Sequence, residues 1–219
     1  MTVAVKICGL NGTEAIDAAV AAGAAYGGLV FHPNSPRNLA LERARVLADH
    51  MRGRLKIVAL IADRDDAAIE ALANAVQPEF LQLHGQESAR RTAYIRGKFR
   101  LPVIKALPVA EASDLNAAAE YEDAADMLMF DARPPKGAMR PGGHGASFDW
   151  KILAGQRFTK PWFLAGGLSP DNVARAIELS GASLVDVSSG VESAPGVKDA
   201  QRIRDFLLAA KSSMNKQDA

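Results

Sequence analysis

Residues 162–179 read WFLAGGLSPDNVARAIEL. The stretch opens on the apolar run Trp162–Ala165, which is short and lacks polar alternation. That is the pattern of a strand buried on both faces. Gly166 and Gly167 then break the run. Ser169 is a candidate N-cap and Pro170 suits a first helical position, so a helix is expected over Pro170–Leu179. Strand, glycine turn and helix make one complete β–loop–α unit.

The unit recurs in both directions. Apolar runs stand at Val3–Ile7, Gly27–Phe31, Ile57–Ile61, Phe80–Leu83, Val103–Ala106, Met127–Phe130 and Leu184–Val187. Amphipathic stretches separate them at Thr13–Ala22, Leu39–His50, Asp65–Ala75, Ser88–Arg96, Ala112–Tyr121 and Asp199–Ala210, with a shorter one at Phe148–Leu153. About eight strands alternating with about eight helices over 219 residues favour a single-domain α/β chain, a (β/α)8 TIM barrel. A doubly wound open sheet is the rival, because alternation alone does not prove closure. No composition shift marks an internal boundary. Residues 1–211 are therefore expected to form the barrel, and the polar residues 212–219 a frayed tail.

Composition narrows the function classes. The 26 Lys+Arg against 25 Asp+Glu give a net charge of +1, which disfavours binding nucleic acid by neutralising many phosphates. One cysteine forms no internal disulfide and no zinc-finger set, and points to a reducing compartment. The start MTVAVKICGL lacks the pattern of a secretory signal, and no apolar run approaches the roughly 18 residues of a membrane span. The expectation is a cytoplasmic protein. No His/Asp/Glu spacing points to a metal site, so neither metal nor organic cofactor is expected.

In a closed barrel the segments after the strands share one end, where sites are built. There the chain offers Cys8-Gly9, then His32 through Arg37, Ala62-Asp63-Arg64, His84-Gly85, Asp131 opening a loop through Gly145, Gly166-Gly167, and Ser188-Ser189-Gly190. The last two loops are the usual phosphate position of such barrels, and their glycines let backbone N–H groups approach an anion. Cys8 is a base or nucleophile if a nearby cation helps it ionise; the plain alternative is a core cysteine. Asp131 is a carboxylate facing the mouth, or a loop cap. Arg37, in the stiff Ser35-Pro36-Arg37 turn, offers a fork for carboxylate or phosphate, or else a surface salt bridge. His84 reads as a satisfied structural histidine, and His32 and His144 are weakly placed. Arg133 and Lys136 attract an anion or are solvated loop charges. The Pro134–Gly145 segment is the candidate lid.

Several of these segments, in order, resemble one family. They are Lys6-Ile7-Cys8-Gly9-Leu10, Gly28-Leu29-Val30-Phe31 leading to Ser35-Pro36-Arg37, Leu81-Gln82-Leu83-His84-Gly85, Phe130-Asp131-Ala132 with Pro134-Pro135-Lys136-Gly137, residues 141–150, Leu164 through Val173, and Asp186 through Asp199. Together they resemble phosphoribosylanthranilate isomerases of tryptophan biosynthesis. The resemblance implies a TIM barrel that rearranges N-(5-phosphoribosyl)anthranilate to 1-(2-carboxyphenylamino)-1-deoxyribulose 5-phosphate, without a cofactor. Cys8 falls at the family's general base and Asp131 at its general acid. Arg37 falls at its contact to the anthranilate carboxylate, and Gly166, Gly167, Ser188, Ser189 and Gly190 match its phosphate site. The implied partner is a small phosphosugar, with no nucleic acid and no membrane, on a monomer or homodimer.

This chain departs from the family at His32, often an aromatic, at His144, commonly Thr, and at Ala62-Asp63-Arg64, usually of Val-Asn type. The alternatives are another phosphosugar barrel enzyme and a non-catalytic phosphate-binding barrel. A histidine-pathway isomerase typically places an Asp where Cys8 stands, and a pentose-phosphate epimerase needs metal ligands at the strand ends. A pure binder needs neither Cys8 nor Asp131.

Overall fold

The computed structural model describes residues 3–134, 137, 142–143 and 145–212. Eight strands pair in parallel in chain order: β1 (Ala4–Cys8), β2 (Tyr26–Phe31), β3 (Lys56–Ile61), β4 (Phe80–Leu83), β5 (Val103–Val109), β6 (Met127–Ala132), β7 (Trp162–Leu164) and β8 (Leu184–Val187). β8 returns to β1, with Lys6 opposite Asp186, and closes the barrel. Closure excludes the open sheet. The fold is a (β/α)8 barrel.

Around it lie α1 (Thr13–Ala22), α2 (Leu41–Met51), α3 (Asp66–Val76), α4 (Ala89–Phe99), α5 (Val173–Ser180) and α6 (Ala200–Ser212). The 3₁₀ segments Ala112–Tyr121 and Trp150–Leu153 fill the places after β5 and β6. The expected 212–219 tail begins on the last residue of α6, and 213–219 lie outside the described residues.

The strands are apolar on both faces because both faces are covered. Ile7, Leu29, Ile57, Leu81, Val103, Leu128, Leu164 and Val185 point outward under the helices. Tyr26, Val58, Ile104, Met127, Met129 and Phe163 fill the interior. Tyr26 meets Phe163 edge-on at 5.3 Å between ring centroids, a favoured aromatic geometry. Towards the carboxyl ends of the strands the interior turns polar, which leaves room for a site.

Three local features differ from the expectations. α5 starts at Val173 rather than Pro170, with Asn172 rather than Ser169 at the cap. The Asn172 side chain accepts from the Ser169 N–H (2.8 Å) and donates to the Gly167 carbonyl (2.9 Å). It braces a tight turn in which the Ser169 carbonyl accepts from the Asn172 N–H (3.2 Å) and the Val173 N–H (3.0 Å), and regular helix follows from Val173. Ala112–Tyr121 keeps its expected bounds but winds as a 3₁₀ helix, entered through a capping box in which Asp114 accepts from the N–H groups of Ala110 and Glu111. A two-stranded hairpin, β9 (Glu192–Ala194) and β10 (Val197–Lys198), follows β8 and was not expected. Among the described residues no helix is long and apolar enough to cross a membrane.

Candidate active site

Cys8 is the last residue of β1, buried and paired in register with Gly28 of β2. A Cβ on Gly28 would stand 3.1 Å from the Cys8 sulfur and 3.2 Å from Lys6 Nζ. Only glycine therefore leaves these two groups their room. Lys6 is fully buried, and its ammonium is 2.8 Å from Asp186 on β8. Burial works against the Lys6 charge, but Asp186 and Cys8 more than reverse it, so its pKa is raised and it stays an ammonium. Burial likewise pushes the Cys8 thiol up, and Asp186 adds to that. The ammoniums of Lys6 and Lys198 pull the other way without cancelling it. These two lysines are the cations beside the sulfur that the sequence did not disclose.

Asp131 lies near the end of β6, at the mouth. Its Oδ1 accepts from the Ala132 N–H (2.9 Å), and its Oδ2 lies 3.1 Å from His84 Nε2. On the far side of the ring, the Gln82 amide nitrogen is 2.8 Å from His84 Nδ1. His84 is indeed satisfied, but its partner is the candidate acid. The loop after β6 lies on the pair: a Cβ on Gly142 would stand 2.8 Å from Asp131 Oδ2 and 2.9 Å from His84 Nε2.

Arg37 forms a salt bridge that is buried rather than superficial. Its Nε and Nη2 donate to the two carboxylate oxygens of Glu192 at 2.6 and 2.7 Å. Glu192 also accepts from Lys198 (2.7 Å) and from the Gly196 N–H (3.1 Å). Burial raises the Glu192 pKa, but the Arg37 and Lys198 partners outweigh it and hold the carboxyl below its ordinary range. Arg37 Nη1 stands near Gly143, at the rim of a slot lined by Cys8, Val30, Leu60, His32 and Ser35.

The glycine loops border a cleft next to this slot. Gly166 sits at φ +87°, and a Cβ there would meet the Ala132 backbone nitrogen at 2.5 Å. Ser188 donates to the Cys8 carbonyl at 3.1 Å and starts the 3₁₀ turn Ser189–Val191. Gly166, Gly167, Ser188 and Ser189 line one cleft with Asp131 and Asp186. That cleft shares Gly142, Gly143 and Ser188 with the slot holding Cys8, so sulfur and carboxyl open on a single mouth.

A family model described as N-(5'phosphoribosyl)anthranilate (PRA) isomerase matches residues 5–209. The chain belongs to this family. A Paramagnetospirillum magneticum relative named N-(5'-phosphoribosyl)anthranilate isomerase is 52% identical over 211 residues, covering 96% of this chain and 98% of its own. A Cereibacter sphaeroides protein of the same name is 51% identical, covering 95% and 99%. Phosphoribosyl anthranilate isomerase of Thermotoga maritima superposes with a TM-score of 0.86 at 35% identity, covering 96% of this chain and 100% of that one. Another solved isomerase of the family holds reduced 1-(o-carboxyphenylamino)-1-deoxyribulose 5-phosphate, at TM-score 0.83, 33% identity and coverage of 96% and 100%.

Three other mouth residues, Asp63, Arg64 and Arg133, have structural partners. Asp63, in the segment that departs from the family pattern, accepts from the Gln86 N–H (2.7 Å). Arg64 donates to the Phe31 carbonyl. Arg133 pairs with Asp114. His32 lines the slot, and its Nε2 is buried without a hydrogen-bond partner. Lys136, His144 and most of the expected Pro134–Gly145 lid lie outside the described residues.

Sequence reasoning did not single out Lys6, Asp186, Glu192, Lys198 and Gln82. The first two left a signal: a Lys inside VAVKIC and an Asp inside LVDV are charges in strands otherwise buried, and strands one and eight are neighbours in a closed barrel.

Proposed function

We propose that this chain catalyses the Amadori rearrangement of N-(5-phosphoribosyl)anthranilate to 1-(2-carboxyphenylamino)-1-deoxyribulose 5-phosphate, the isomerase step of tryptophan biosynthesis. Family membership supports the reaction. The observation that carries the assignment of roles is the shared mouth: the Cys8 sulfur and the Asp131 carboxyl open on one space bordered by both glycine loops.

Asp131, carrying a proton, gives it to the ribose ring oxygen. The C1–O bond breaks as the anilino nitrogen lone pair forms a protonated C1=N bond. That iminium acidifies the proton on C2, and Cys8 as thiolate takes it. The electron pair forms C1=C2 and neutralises the nitrogen, giving an enolamine. C1 then gains a proton and the C2 hydroxyl loses one, leaving the aminoketose. Burial makes the resting sulfur a thiol, so its proton passes to water before the base step. The Lys6 and Lys198 ammoniums, with the iminium charge forming beside the sulfur, favour the thiolate that the base step needs.

The phosphate is held by the N–H groups of Gly166, Gly167, Ser188, Ser189 and Gly190 and by the Ser189 hydroxyl. The anthranilate ring enters the slot between Val30 and Leu60, with its carboxylate at Arg37 Nη1. Glu192 already uses the guanidinium's other edge and fixes its plane. Anthranilate fluorescence reports the reaction. Purified protein mixed with freshly formed substrate is expected to extinguish the substrate signal at a rate proportional to enzyme; no enzyme-dependent loss overturns the assignment.

A further inference from the structure

Gln82 of β4 is fully buried inside the barrel. Its amide nitrogen reaches His84 Nδ1 at 2.8 Å and the Met129 sulfur at 3.3 Å, so both amide hydrogens have an acceptor. In this orientation Nδ1 of His84 has to be a bare lone pair. The ring's single hydrogen then sits on Nε2, which faces Asp131 Oδ2 at 3.1 Å. The other oxygen, Oδ1, is occupied by the Ala132 N–H.

We propose that Gln82 is a positioning residue for the acid step: by donating to Nδ1 it holds His84 as the neutral Nε2–H tautomer, and that tautomer aims the Asp131 proton at substrate. The inference rests on the reading of Asp131 as the acid. With Nε2–H donating to one side of Oδ2, the carboxyl hydrogen on that oxygen has only the mouth to point into. In the flipped alternative, the Gln82 carbonyl would accept from an Nδ1–H and lose the Met129 contact. His84 Nε2 would then be bare and would draw the acid proton onto itself, away from the sugar. A doubly protonated ring would set two N–H groups of Gln82 and His84 against each other and would hold Asp131 as the carboxylate. The carbonyl oxygen of Gln82 is buried without a hydrogen-bond partner. The flip would satisfy that oxygen but would leave the amide nitrogen without its His84 and Met129 acceptors.

Nitrogen-15 spectra of the imidazole at neutral pH, assigned with a His84→Gln control, separate the two tautomers. The wild-type protein is expected to show a bare Nδ1 and a hydrogen on Nε2. A hydrogen on Nδ1 overturns the proposal. Gln82→Met keeps the volume and removes the donor. It is expected to lower kcat by about tenfold or more with KM within about twofold, and to shift His84 towards a mixed tautomer. Unchanged kcat and an unchanged His84 spectrum in Gln82→Met overturn it. Asp131→Asn run in parallel separates the two levels: if that variant keeps full kcat, the acid reading fails and takes this inference with it. If it is inactive while Gln82→Met is normal, the positioning role alone fails.

Discussion

Replacing Glu192 by Gln removes the negative charge from a buried cluster of two cations. Its oxygens accept from Arg37 Nε (2.6 Å), Arg37 Nη2 (2.7 Å), Lys198 (2.7 Å) and the Gly196 N–H (3.1 Å). The Arg37 and Glu192 side chains are 5% and 4% exposed, so water does not replace the lost charge. Breaking a buried pair by deleting one partner costs about 3–5 kcal/mol. Lys198, already pushed down by burial against the pull of Glu192, sheds its proton more readily in the variant and softens the loss towards the lower figure. In a chain of this size each kcal/mol moves the melting temperature by roughly 2–4 °C, so a drop of about 6–12 °C is expected.

The pH dependence carries the sign. The Glu192 carboxyl is depressed in the folded state, so its contribution is present above the ordinary Glu pKa, about 4.3, and is lost as pH falls through the folded value. Urea unfolding of both proteins from pH 7 downward is the assay. The stability difference should be about 3 kcal/mol at pH 7 and shrink on acidification. A difference below about 1 kcal/mol, or one that ignores pH, would refute the account of this cluster.

Other consequences concern the mouth. Cys8 should alkylate slowly at neutral pH, with the rate rising only above the ordinary thiol range near ~8.5, because burial raises its pKa; half-maximal reaction below that range contradicts this. A Cβ on Gly190 would stand 1.9 Å from the Leu168 carbonyl oxygen. Gly190→Ala therefore has to shift the loop, at about 1–3 kcal/mol of stability, and should weaken inhibition by inorganic phosphate several-fold. Gly28→Ala should leave the barrel folded by circular dichroism yet lower kcat, since the new methyl presses on both the Cys8 sulfur and Lys6 Nζ.

The barrel was legible because its signal is local: each strand carries an apolar run of its own, and each glycine turn marks an end. The turn into the helix does begin at Ser169, whose carbonyl accepts from the Asn172 and Val173 N–H groups, and regular helix follows only from Val173. Cys8 and Asp131 were legible from their places at the ends of strands one and six. Lys6 was hidden because its meaning depends on Asp186, 180 residues away, through a register that exists only once the sheet closes. Arg37 pairs with Glu192 across 155 residues, and Glu192 sits on a hairpin without a strong strand pattern, so the buried ion pair was not legible beside the readings of a ligand fork or a surface salt bridge. Gln82 looked like one polar residue in a strand, and its task is defined only by the ring two residues later and by Met129 on β6.

The central claim is that Cys8 and Asp131 divide the proton transfers. Steady-state kinetics of Cys8→Ser and Asp131→Asn, followed by anthranilate fluorescence, test it most directly. Each variant is expected to lose about 10²–10⁴-fold in kcat with KM changed by no more than a few-fold. Near-normal kcat in either variant, or a loss confined to KM, would contradict it.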